Sequence, residues 1–208
     1  MRGAGTPLAL LRVDPLATQV EDRCVRCMMR PEVCLCPLPR VPNRTPVVIV
    51  RHRLEAFRPT NTARLAALAL AQAELYEFGR LGVAGTDAPL RVPGTWLLFP
   101  DGPPLAPHAP RPARLLVLDG TWPQARRMAH RLEAVRGLPR FALPAPAEAS
   151  DRLRTEPHRE GMATLEAIAH ALSVLDGPEV AQPLLALYRR QVAGVLATRR
   201  GQAGLRPA

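Results

Sequence analysis

The sequence predicts an α/β domain built on a mainly parallel sheet covered by helices, and three observations carry that prediction. Short β-branched or Leu-rich runs of strand length alternate along the chain with longer Ala- and Leu-rich stretches of helical character. At 208 residues and 47% hydrophobic content, the chain suffices for one such domain with a core of its own, plus a small appendage. Neither an internal repeat nor a Gly-rich dinucleotide or P-loop fingerprint is present, so ordinary Rossmann and NTPase readings lack their signature.

Residues 1 to 23 read as a weakly patterned leader, whose apolar run from Leu8 to Leu11 is too short for a secretory signal. All the cysteines come next, and the Pro-rich stretch from Pro37 to Pro46 then reads as a linker. The expected organisation is therefore a leader with a four-cysteine segment over 1–46 and a main domain over 47–208. Val47 to Val50 is a β-branched run that predicts a buried strand, and Asn61 to Ala71 predicts a helix that Thr60 or Asn61 can cap. Further strands are expected at Glu74 to Phe78, Trp96 to Phe99 and Leu115 to Leu118, with a Pro-rich loop between the last two. Helices are expected over Gln124 to Val135, Met162 to Leu175 and Glu179 to Thr198, and one more short strand at Phe141 to Leu143. No apolar stretch is long enough to cross a bilayer, so the expected compartment is the cytosol.

A formal charge of +10 points to a polyanionic partner, and a nucleic acid is the expected one. Every one of the 28 Lys-or-Arg positions is Arg, which codon bias explains in part. The excess over 18 acids survives that bias, and Arg suits phosphate forks and base stacking.

Cys24, Cys27, Cys34 and Cys36 have the spacing C-x2-C-x6-C-x-C. Four soft thiolates gathered by two tight turns suit tetrahedral zinc, which organises a segment too small to fold on its own core. Two disulfides are disfavoured in a reducing cytosol, and an iron-sulfur cluster would use the same ligands.

The segment from Asp119 to Arg126 follows the Leu115 to Leu118 strand and opens a helix, the place where open α/β sheets hold their ligands. Asp119 there is either a turn residue or a catalytic carboxylate. Gly120 lets the backbone approach a ligand, Thr121 adds a hydroxyl, and Trp122 is either a stacking surface or a core residue. Pro123 fits the first helical turn while keeping Trp122 out of helical conformation. Arg126, Arg127, Arg131 and Arg136 then stud the helix and its end, with Arg127 and Arg131 on one face, as phosphate contacts or as a solvated face. A second basic cluster, Arg152, Arg154, His158 and Arg159, precedes Thr164 and Glu166 at the start of another helix, where these two are caps or cofactor contacts. His52 and Glu55 precede Arg58-Pro59-Thr60-Asn61-Thr62, a segment that also follows a strand end and so can line the same crevice as Asp119.

Taken in order, these motifs resemble the DTW-domain family, the tRNA-uridine aminocarboxypropyltransferases. The resemblance runs through the four-cysteine segment, His52 with Glu55, Thr60-Asn61-Thr62-x-Arg64-Leu65, Asp119-Gly120-Thr121-Trp122-Pro123 and Leu153-Arg154 to Thr164-Leu165-Glu166. Ala63 stands where the family usually has Gly, and Ala163 where Ser is common, which bears on cofactor-loop packing. The resemblance implies a SPOUT-like core with a C-terminal trefoil knot, a feature no periodicity argument supplies, since threaded chains are rare. It further implies S-adenosylmethionine as co-substrate and a tRNA uridine as acceptor at N3 (position 47 by similarity to bacterial members). The sequence does not set the oligomeric state, and a monomer is the expectation. Asp119, Thr121 and Trp122 are then the expected catalytic group. Leu97, Phe99, Pro100, Leu118, Thr164 and Glu166 become the expected cofactor contacts, and His52, Arg64, Arg126, Arg127, Arg131 and Arg154 the expected RNA contacts. The competing functions are ribosomal RNA aminocarboxypropyl transfer, SPOUT-like RNA methylation and a non-catalytic zinc-containing RNA-binding protein.

Overall fold

Six strands form one sheet: β1 (Ala9–Arg12), β2 (Val47–His52), β3 (Ala73–Arg80), β4 (Thr95–Leu98), β5 (Arg114–Asp119) and β6 (Arg140–Phe141). Their spatial order is β1-β3-β2-β5-β4-β6, and every pairing is parallel except that of β1 with β3. The helices are α1 (Ala63–Ala69), α2 (Trp122–Arg131), α3 (Glu133–Arg136), α4 (Thr164–Leu175) and α5 (Pro178–Arg199). This computed structural model describes residues 9–80, 86–105, 110–144 and 162–200.

The apolar runs form the central strands because a parallel strand is covered on both faces and needs apolar side chains at every position. Val47, Ile49 and Val50 have no exposed surface, and β2 is buried along its whole length. Alternate residues feed two separate cores. Val47 and Ile49 of β2, with Leu115 and Val117 of β5, pack with α1, α4 and α5. Val48, Val50, Leu116 and Leu118 face the other way, toward Met128 and Ala129 of α2 and Val135 of α3. Each such fully buried side chain contributes about 1.5 to 3 kcal/mol, which makes a one-residue slip of β2 prohibitive.

β1 pairs antiparallel with β3, and Leu10 joins the core beneath α2. Cys27, Met29, Leu35 and Val41 likewise belong to the core shared with α4 and α5. The single helix expected over Gln124 to Val135 breaks at Leu132, whose backbone is extended (φ −78, ψ 109) while its side chain is buried. Among the described residues, no helix is long and apolar enough to cross a membrane.

Candidate active site

β2 and β5 lie side by side, yet the chain leaves them in opposite directions, β2 through α1 to β3 and β5 through α2 and α3 to β6 beyond β4. A crevice opens at the carboxyl ends of such a pair of strands. Here the apolar pattern gives way to charge. Glu77 of β3, Arg51 of β2 and Asp119 of β5 are register neighbours and stand in a row on one face of the sheet. They are 5%, 1% and 5% exposed. Arg51 Nη2 lies 3.2 Å from Glu77 Oε2, while its Nε and Nη1 are buried without hydrogen-bond partners among the described residues.

Asp119 is held by two segments remote in sequence. Its Oδ2 accepts a 2.6 Å hydrogen bond from Asn61 Nδ2, and its Oδ1 accepts one of 2.6 Å from Thr164 Oγ1. Asn61 in turn caps α1, its Oδ1 accepting from Arg64 N at 3.1 Å, so both ends of the amide are committed and its orientation is fixed. Thr62 does the same for α4, its Oγ1 accepting from Leu165 N at 3.1 Å. Burial pushes the Asp119 carboxyl above its ordinary value, and the hydrogen bonds from Thr164 and Asn61 oppose that rise without cancelling it.

The turn after Asp119 is shaped by close contacts. A Cβ on Gly120 would stand 2.9 Å from Gln124 Oε1, 3.0 Å from Gln124 Cβ and 3.4 Å from His52 Cβ, so any larger residue must push the Gln124 side chain aside. Gln124 Oε1 accepts from Thr121 N at 2.7 Å, closing the first turn of α2 and leaving Thr121 exposed at its N-cap. Trp122 is half-buried, and its ring meets Phe99 edge-on at 6.2 Å. The two rings wall a cleft that Leu98, Pro100, Leu118, Gly120, Met162 and Thr164 also line. Four of the six expected cofactor contacts (Phe99, Pro100, Leu118 and Thr164) therefore share one cleft. Leu97 does not line it: strand alternation turns Leu97 into the core beneath α2 and α3, and Leu98 takes the place at the cleft. Glu166 does not line it either, because its buried carboxylate accepts from Ala163 N at 3.3 Å at the start of α4.

The expected RNA contacts divide. Arg126, Arg127 and Arg131 are exposed along α2, the helix that opens at the cleft. His52 is buried and tilted against Phe78, with Nδ1 accepting from Leu54 N at 3.3 Å. Burial first, then the nearby Arg53, holds its imidazole below the usual histidine value, so it is neutral at pH 7 and packs against the turn. Arg64 is buried in the fold rather than exposed. Its side chain is 1% exposed, and its guanidinium donates to the carbonyls of Arg26 (2.8 Å), Thr18 (3.0 Å) and Val25. Arg154, with Arg152, His158 and Arg159, lies outside the described residues. Sequence reasoning did not single out Arg51 and Glu77. The signal was a charged residue at the end of an otherwise apolar parallel strand, which needs a reason to be buried.

The four cysteine Sγ atoms all lie within 4.8 Å of one another and are positioned to hold a metal. Cys24 and Cys36 are separated by 3.7 Å and Cys27 and Cys34 by 3.6 Å, far beyond a disulfide bond. Those spacings match the edge of a tetrahedron of thiolates about 2.3 Å from one central ion, which is about 3.8 Å. Leu35 N donates to Cys27 Sγ at 3.4 Å, a contact that supports a thiolate ligand.

The chain is similar to known proteins over most of its length. Residues 21–196 match the model of the DTW domain. The chain is 33% identical over 178 residues to tRNA-uridine aminocarboxypropyltransferase 2 of Drosophila melanogaster, covering 79% of this chain and 71% of that protein. It is 29% identical to tRNA-uridine aminocarboxypropyltransferase A of Arabidopsis thaliana, covering 81% and 79%. Against tRNA-uridine aminocarboxypropyltransferase 2 of Macaca fascicularis the identity is also 29%, and the chain spans only 60% of that protein's length. No solved structure matches. With its domain model covering most of the chain and its named motifs gathered around one carboxylate, the protein belongs to the DTW-domain family.

Proposed function

We propose that this protein transfers the 3-amino-3-carboxypropyl group of S-adenosylmethionine to N3 of a tRNA uridine, releasing 5′-methylthioadenosine. The observation that carries the reading is the buried Asp119 carboxylate, fixed by Asn61 and Thr164 beside an aromatic-walled cleft. The names of the relatives supply the reaction class.

In this reading N3 forms a bond to the terminal carbon of the aminocarboxypropyl group. The carbon–sulfur bond breaks with its electron pair going to sulfur, and the N3 proton passes to Asp119. The sulfonium activates three carbons alike, so the protein's task is alignment, which supplies much of the rate. Trp122 and Phe99 offer faces for a base or an adenine, and Thr164 ties the cleft to Asp119. A carboxyl raised by burial accepts a proton better than one in water, which suits the weakly acidic imide. The exposed arginines of α2 take the RNA backbone. The cysteines hold structural zinc, since their spacing fits one tetrahedral ion and they tie the N-terminal loops to the core. The trefoil crossing of a SPOUT-like core belongs to the same proposal, and residues 145–161, which lead into α4, lie outside the described residues.

The test is nucleoside mass spectrometry after incubation with S-adenosylmethionine and either purified tRNA or purified ribosomal RNA. A uridine heavier by the aminocarboxypropyl group, formed on tRNA together with methylthioadenosine, is the expected result. A methylated nucleoside, or product on ribosomal RNA alone, would overturn the reading. For zinc, the expected result of metal analysis is one ion per chain; iron, or no metal, would refute it.

A further inference from the structure

Arg64 is a fully buried cation whose hydrogen-bond acceptors are main-chain carbonyls of a single loop. Two of these carbonyls, Val25 and Arg26, belong to the only residues between Cys24 and Cys27. The loop's own turn is closed by Met28 N donating to Cys24 O at 2.8 Å and Cys24 N donating to Met29 O at 2.9 Å. At its other end, Arg64 donates its backbone N–H to Asn61 Oδ1, and Asn61 Nδ2 donates to Asp119 Oδ2. A continuous path of hydrogen bonds thus runs from the cysteine loop to the candidate base.

We propose that Arg64 is a positioning residue that couples the closed state of the four-cysteine loop to the Asn61 amide on which Asp119 rests. The inference builds on the role given to Asp119 above. When the cysteine loop is closed, its carbonyls converge on the guanidinium and satisfy a charge that has no water to turn to. When the loop opens, the fork loses its acceptors. A buried cation without partners is costly enough to move the first turn of α1, and Asn61 with it. Lysine cannot replace the fork, because a point ammonium does not span three separated carbonyls. The pair of backbone and side-chain contacts on one residue is what makes the metal loop and the catalytic crevice a single unit.

The experiment uses the full chain, purified with its metal, as wild type, Arg64→Lys, Cys34→Ser and the double variant. Three quantities are read: metal release to EDTA, the titration of Asp119 by ¹³C-carboxyl NMR, and steady-state kinetics on tRNA. Arg64→Lys is expected to release metal about fivefold faster or more, because the loop loses its anchor. Its Asp119 midpoint moves upward, since the Asn61 N–H that favours the ionised form is weakened while the charged neighbours Arg51 and Glu55 are untouched. Its kcat falls about tenfold or more with KM for S-adenosylmethionine changed less than about threefold, as no cleft-lining side chain is altered. Cys34→Ser moves Asp119 in the same direction, and the double variant moves it no further than the larger single shift. An unmoved Asp119 midpoint or unchanged metal release in Arg64→Lys overturns the coupling, as does a double variant whose shift is the sum of the two. If the wild type transfers nothing to tRNA, the proposed reaction fails, whereas metal release and the Asp119 titration still decide the coupling.

Discussion

Replacing Asp119 with Asn isolates proton acceptance from geometry. Both hydrogen bonds to Asp119 are 2.6 Å long, one donated by Asn61 and one by Thr164. In Asp119→Asn the new Oδ1 still accepts from Asn61, and the new N–H donates to the Thr164 hydroxyl, which can turn to accept it. The number of hydrogen bonds is kept, and only the charge and the basic lone pair are lost. Losing charge assistance in two hydrogen bonds costs about 1 kcal/mol each, together about 2 kcal/mol, or roughly 30-fold in rate. Losing a general base costs about 100- to 10,000-fold, or about 3 to 5 kcal/mol. The expected result is therefore a fall in kcat well beyond 100-fold, measured by mass spectrometry of tRNA nucleosides at saturating RNA. Wild-type kcat should also decline on the acid side, with a midpoint above the ordinary aspartate range because burial raises the Asp119 carboxyl, and this limb should vanish in the variant. Stability moves oppositely. A carboxyl raised in the folded state gives its full stabilisation below the unfolded-state value, about 3.9, and loses it as pH climbs through the folded value. Above the folded value the ionised Asp119 is a burden, so there Asp119→Asn should melt at a higher temperature than wild type, with the gap closing in acid. Turnover within about 30-fold of wild type, with the acid limb intact, would refute the assignment of Asp119 as base.

Replacing Arg126, Arg127 and Arg131 together with Gln should flatten the slope of log binding constant against log salt for tRNA by about 0.7 to 0.9 for each phosphate no longer neutralised. Calorimetry should find S-adenosylmethionine affinity unaltered, and an unchanged salt slope would remove α2 from the RNA surface. Gly120→Ala should lower kcat about tenfold or more while the fold survives, because the added methyl displaces Gln124 from its 2.7 Å hydrogen bond with Thr121 N and presses on His52. Equal activity would show that the turn tolerates a shift larger than its close packing allows. Asp176→Ala should cost about 3 kcal/mol and lower Tm by about 6 to 12 °C. Its carboxylate is 5% exposed and accepts from Arg44 N (2.7 Å), Thr45 N (3.1 Å) and Thr45 Oγ1 (2.6 Å), binding the end of α4 to the entry of β2. Both KM values should stay put in that variant, because none of these groups reaches the cleft.

The central fold was legible because parallel strands and their covering helices are dominated by apolar periodicity, which sequence displays directly. β2 and β5 emerge near their expected bounds, as do α4 and α5. β1 was not legible for the opposite reason. It is an edge strand of four residues, held by antiparallel pairing to β3 and with Leu10 in the core, so long-range partners and not local pattern define it. The break at Leu132 is also tertiary in origin, since a helical run of residues continues there while burial of the Leu132 side chain turns the backbone. The cysteine spacing announced a cluster, but nothing local told that Cys27 and its neighbours would share the main core.

At the site, the legible part was the set of residues gathered at strand ends, and the illegible part was their division of labour. Arg64 illustrates the gap: beside Asn61, in a chain carrying a large positive excess, it reads as one more phosphate contact. Only its position on the inward side of α1 makes its fork an anchor for the Val25 and Arg26 carbonyls. Arg51 is harder still, because a cation just after a β-branched run reads as the point where the strand leaves the core. Burying Glu77, Arg51 and Asp119 in one row costs stability that an apolar row would not, and proteins keep such costs where chemistry needs them. The row lies where β2 and β5 part company, with Asn61 and Thr164 brought to the same carboxylate from opposite ends of the chain. A local motif can name the turn, but the fold makes Asp119 a buried, oriented carboxylate, and that property is what the proposed transfer of a proton from N3 would require.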